Sequence, residues 1–121
     1  MSRYRLLPSF RSNWEAVVFW ILHRFVLEPN TTFSRSQIMR QDNFDYALRL
    51  LGALGHNERS ETPENTIQAT IQKMRDHGHM LFLGDGRYQL TDKGFERMQL
   101  AEKERNDLME QLKEAFSSDK A

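Results

Sequence analysis

The chain has 121 residues, 39% apolar and 28% charged, which fits one globular domain and excludes wholesale disorder or a low-complexity polymer. Seventeen Lys and Arg balance seventeen Asp and Glu, excluding attraction to nucleic acid through overall basicity. With no cysteine there is no disulfide framework, no thiolate nucleophile and no Cys-containing zinc site.

Ser12-Asn13-Trp14-Glu15 has the form of a capping box and opens onto the apolar run Ala16 to Leu22, so a first helix is expected there, ending before Glu28-Pro29-Asn30. Trp14, Val17, Val18, Ile21, Leu22 and Phe25 follow helical spacing. Phe19 and Trp20 spill onto the flanks, which predicts a helix covered on more than one side and places both tryptophans in the core. Thr31-Thr32-Phe33 suits a short edge strand. Ser34-Arg35-Ser36-Gln37 is a second capping box, starting a helix with Ile38 and Met39 inward. Gln41-Asp42-Asn43 either breaks that helix or caps a third one, Phe44 to Leu54, with Phe44, Ala47, Leu48, Leu51 and Leu54 as its apolar positions; two helices is the favoured reading. Residues 55–61 read as a loop. Thr62-Pro63 caps the next helix, whose inward stripe is Ile67, Thr70, Ile71 and Met74 and whose end is Gly78. Met80 to Leu83, the turn Gly84-Asp85-Gly86, and Arg87 to Leu90 form a hairpin pattern. Thr91-Asp92 caps a last helix running to about Phe116.

Helix, short strand, two helices, capped helix and hairpin is the order of a winged helix-turn-helix, here mainly α with a small β-hairpin and a C-terminal helix. Residues 1–91 form the DNA-binding unit, with a basic arm over 1–12, and 117–121 a disordered tail. The expected reading helix exposes Asn65, Thr66, Gln68, Ala69, Gln72, Lys73 and Arg75. Carboxamides can pair with adenine edges, small side chains fit a thymine methyl, and Lys or Arg meets guanine or phosphate. Charge is unevenly spread: residues 1–40 carry six Arg against two Glu. Arg3, Arg5, Arg11 and Arg35, with Arg87 beside the hairpin turn, are the expected phosphate or minor-groove contacts.

Thr62-Pro63-Glu64-Asn65-Thr66-Ile67-Gln68-Ala69-Thr70-Ile71-Gln72-Lys73-Met74-Arg75-Asp76-His77-Gly78 and Leu81 to Leu90 together resemble the C-terminal winged-helix domain of the Dam-replacing family of restriction endonucleases. That pattern has a helix ending in L-R-D-x-G, an apolar strand, a glycine turn and an aromatic in the returning strand. The resemblance is good over 62–90, weaker but consistent in order over 33–54, and absent for the C-terminal tail. It implies a duplex-DNA reader with contacts on this helix and wing, adenine-methylated sites being one target it allows. Those enzymes also carry a nuclease domain, for which 121 residues leave no room.

No lysine follows an acidic residue by two positions, as a PD-(D/E)xK nuclease requires, and no phosphate-loop, dinucleotide or nucleophile-elbow motif occurs, so a non-enzyme without metal or cofactor is expected. His77-Gly78-His79 invites a metal, but a helix-ending histidine and an ordinary strand histidine explain the pair better. Residues 92–116 are expected to dimerise: Met98, Ala101, Arg105, Leu108 and Leu112 trace a coiled-coil seam joined by Phe116, although folding back on the chain's own core is the alternative. The expectation is a homodimeric regulator of transcription, bound to double-stranded DNA and linked to a restriction or mobile-element system. A protein-interaction or specificity subunit is the alternative. The longest apolar run, seven residues, is far short of the roughly 20 that span a bilayer, and no secretory leader is read, so a cytoplasmic protein is expected.

Overall fold

The hydroxyl of Ser12 accepts the Glu15 N–H at 3.1 Å and so starts helix α1, Asn13–His23. The structure, a computed structural model, describes residues 7, 9–10, 12–53 and 63–118. Every residue of α1 from Asn13 to Leu22 is buried, and a helix apolar on all sides can only sit at the centre. Helices α2 (Arg35–Ile38), α3 (Gln41–Ala53), α4 (Pro63–Asp76) and α5 (Asp92–Ser118) all pack on it. Trp14 and Trp20 both lie in the core, and the Trp20 indole N–H donates to the Ala101 carbonyl of α5 at 3.1 Å. Glu15, the charged exception on α1, faces Arg97 of α5 at 3.4 Å. Helix α1 stops earlier than proline would require. The Val26 N–H still reaches the Leu22 carbonyl at 2.8 Å, and the chain turns there so that Val26 enters the core.

The molecule is mainly helical with a small three-stranded antiparallel sheet, order β1-β3-β2. Strand β1 (Thr32–Ser34) pairs with β3 (Arg87–Leu90), Phe33 opposite Tyr88. Strand β2 (Met80–Gly84) pairs with β3 on the other side, Met80 opposite Leu90 and Phe82 opposite Tyr88, with a bulge between Phe82 and Gly84. The hairpin tip uses Asp85 at φ 51°, a left-handed conformation that Asp tolerates. Ser34 and Gln37 complete the reciprocal capping box of α2. The second and third helices are indeed separate. Buried Asn43 joins them by donating to the Gln37 carbonyl while it accepts from Arg24 at 2.8 Å. Leu48 is one apolar position that turns outward: α3 faces the core through Phe44 and Ala47, with Tyr46 and Leu50 packed at its margin.

Helix α5 requires a correction. Met98 is 1% exposed and Ala101 0%, both in the chain's own core against α1, so neither is available as a dimer seam. Arg105, expected in the seam, donates to the Tyr46 hydroxyl of its own chain at 2.9 Å and lies 4.0 Å from its own Glu102. Leu108 and Leu112 are half-buried against the same core. The physical reason is geometric: a one-sided stripe matches the flank of α1 as well as it matches a second helix. Phe116 belongs to α5, but its side chain lies outside what is described. The helix continues through Ser118, so Ser117 and Ser118 are helical rather than part of a tail, and residues 119–121 lie outside the described residues.

The start of α5 lies unusually close to the hairpin. A Cβ on Gly94 would fall 1.9 Å from the His79 carbonyl oxygen, so only glycine permits this approach. Ahead of α1, Leu7 and Phe10 are buried, and Phe10 meets Phe19 edge-on at 5.8 Å. Part of the stretch expected as a basic arm is therefore core. Its Arg3, Arg5 and Arg11 lie outside the described residues, as does the loop over 55–61.

Candidate nucleic-acid interface

On α4 the predicted inward stripe holds: Ile67, Thr70, Ile71 and Met74 are buried. At about 100° per residue, Asn65, Ala69, Gln72 and Asp76 then point away from the core. Gln68 and Arg75 lean to one flank, Thr66 and Lys73 to the other. Asn65, Gln68, Ala69, Gln72 and Lys73 are exposed, whereas Thr66 and Arg75 are half-buried. The helix ends at Asp76 and the chain turns through Gly78, whose φ of 77° suits glycine, so that the His79 N–H returns to the Met74 carbonyl at 2.9 Å. The chain thus enters β2 immediately beside α4.

This turn creates a groove of about 380 Å³ between α4 and the hairpin, lined by Arg35, Gln68, Gln72, Arg75, Phe82, Gly86 and Tyr88. Four of the sequence-predicted contacts meet here from two separate helices. The Arg35 backbone N–H donates to the Gly86 carbonyl at 2.8 Å, tying the start of α2 to the hairpin turn. Arg75 lies over the Phe82 ring, 4.7 Å from its centroid, and donates to the Gln72 side-chain oxygen at 3.1 Å. The Gln72 amide nitrogen in turn donates to Asp76 at 3.1 Å. Both ends of the Gln72 carboxamide are therefore engaged within the protein. Gln68 lines the groove beside them.

No family model, curated protein or solved structure matches this chain.

Among the described residues, the remaining predicted contacts lie around the groove rather than in it. Arg87 is exposed next to the turn, in register with Ser34 and Gly84. Asn65, Ala69 and Lys73 sit on other parts of the exposed surface of α4. Sequence reasoning missed Phe82 and Tyr88 as site residues. Their alternation in the hairpin was visible, but it does not say that Phe82, on the sheet face turned toward α4, remains 47% exposed at the groove's rim. The ring contacts Tyr88 at a centroid distance of 5.3 Å.

His77 and His79 do stack, 6.0 Å between centroids, but His79 is buried against Phe19 while the His77 ring nitrogen faces the Lys73 carbonyl. Among the described residues no group of three or more His, Cys, Asp or Glu side chains is placed to hold a metal ion. Among them, too, no helix is long and apolar enough to cross a membrane.

Proposed function

We propose that this chain binds double-stranded DNA as a winged helix, with α4 in the major groove and the β2–β3 hairpin reaching the neighbouring backbone or minor groove. It acts by binding rather than by catalysis, as a regulator of transcription does. The observation that carries this reading is the convergence of Arg35, Gln68, Gln72 and Arg75 on one groove beside the hairpin. The sheet order β1-β3-β2, with the hairpin directly after α4, supports the winged-helix arrangement. Zero net charge is no obstacle, because binding depends on where the arginines stand. The reading needs no second copy of the chain, and a link to restriction rests on the sequence resemblance over 62–90 alone.

Titration of the protein into a fluorescent duplex of mixed sequence tests it. Binding at low salt that weakens steeply as salt rises is expected. A flat titration at about 50 mM salt, with folded protein, removes the proposal.

One observation favours a second reading, a protein-interaction module. Leu81 and Leu83 are 52% and 48% exposed on β2, and Leu81 opposite Gln89 lies on the sheet face away from α4. Replacing both by Ser leaves duplex binding unchanged if α4 and the groove are the reader. A loss equal to that of the groove variants would move the interface onto the outer face.

A further inference from the structure

We propose that the groove between α4 and the hairpin seats one phosphodiester of a DNA strand, gripped by Arg35 and Arg75, with Phe82 as the platform that holds Arg75 in place. This rests on the duplex-DNA reading above and specifies what that groove takes. When a helix occupies the major groove and the following hairpin reaches the adjacent minor groove, the sugar–phosphate strand separating the two must pass between those elements. The groove lies in that position. Its lining includes two arginines and two glutamines and no acidic residue, in a chain whose net charge is zero. Such a donor-rich, cationic lining complements a phosphate, which guanidinium forks bind in bidentate geometry.

Arg75 is already ordered for this task. Phe82 covers one face of its guanidinium at 4.7 Å and the Gln72 oxygen takes one of its N–H groups at 3.1 Å. Ordering a long side chain in advance removes part of the entropy cost of binding. The nearest acidic group on the outward face of α4, Asp76, is engaged by the Gln72 amide and is not part of the lining. Arg35 approaches from the opposite element, its backbone tied to Gly86 at the hairpin turn. Phe82 is a positioning residue, which explains why a large aromatic on the inner sheet face is left half-exposed.

The test measures affinity for a mixed-sequence duplex across a salt series, with thermal melts to verify folding. Arg35→Ala combined with Arg75→Ala flattens the log–log salt slope by about one unit, the share of one phosphate, for all sequences alike. Arg75→Lys, which keeps the charge, retains most of the slope. Phe82→Leu weakens binding about two- to fivefold, the weight of an exposed cation–π contact, in the wild-type background and has no further effect in Arg75→Ala. An unchanged slope in the double arginine variant overturns the seat and leaves the duplex reading standing. A loss of about two units assigns the arginines to separate phosphates and overturns the shared grip. Equal losses from Phe82→Leu with and without Arg75 show that Phe82 does not act through Arg75. A wild-type protein that binds no duplex at low salt overturns the parent reading together with this one.

Discussion

Helix α1 is buried on every side from Asn13 to Leu22, whereas α4, three residues longer, buries Ile67, Thr70, Ile71 and Met74 and presents carboxamides and cations to the outside. The first helix has its sequence dictated by four neighbouring helices. Helix α4 has well under half of its sequence accounted for by burial. What remains on α4 is free to be chosen for an external partner, and its flank toward the hairpin is the one where those side chains meet groups from another element.

Trp20→Ala is the strongest way to break this contrast. It removes the largest side chain of the centre and its bond to Ala101, and should cost about 3–5 kcal/mol, a large fraction of a domain's total stability. A thermal melt lowered by only a degree or two would mean that α1 is not the centre. Leu108→Asp comes next: a half-buried leucine on the core margin becomes a carboxylate, costing about 1–3 kcal/mol. Light scattering should give the same mass for variant and wild type, whereas a dimer that dissociates in the variant would restore the seam. Ser34→Ala removes the cap and box of α2 for about 1 kcal/mol, readable as a denaturant midpoint shift with unchanged m-value. Gln68→Ala should fall within about 0.5 kcal/mol of wild-type stability, because the side chain is exposed. On the proposed DNA reading, its effect is a loss of roughly 1–3 kcal/mol in discrimination between sequences, measured by selection from a random pool. Identical selected sequences would leave α4 as a solvated surface helix.

Local chemistry made much of the fold legible. Ser12, Ser34 and Gly78 mark helix ends through hydrogen bonds and backbone conformations that involve only a few neighbouring residues, and the glycine-flanked turn marks the hairpin the same way. The stripe on α4 is legible because 3.6-residue periodicity belongs to the helix alone. The fate of α5 was not legible. Met98, Ala101, Leu108 and Leu112 are spaced for burial, and periodicity states that a stripe is covered without stating by which molecule. Arg105 misleads for the same reason, since its partner Tyr46 lies on a helix remote in sequence. At the site, residue types identified Arg35, Gln68, Gln72 and Arg75, but not that Gln72 is a bridge between Arg75 and Asp76. The need for glycine at position 94 was equally hidden, because it arises from a carbonyl fifteen residues earlier in the chain.

Thr91 ties the hairpin's base from several directions. Its hydroxyl donates to the Gly78 carbonyl at 2.7 Å and accepts the Gly94 N–H at 3.1 Å, while its own N–H reaches His79 at 3.1 Å and neighbouring Lys93 reaches the His77 carbonyl at 2.9 Å. The end of α4, the root of the hairpin and the start of α5 are thereby knotted at a point remote from Asp85. No bond of the knot passes through the turn, so the hairpin's root is held independently of its tip, where Gly86 makes a separate tie to Arg35 of α2. The hairpin is thus clamped at two separated points, so the wall it forms opposite α4 is fixed at both its root and its tip.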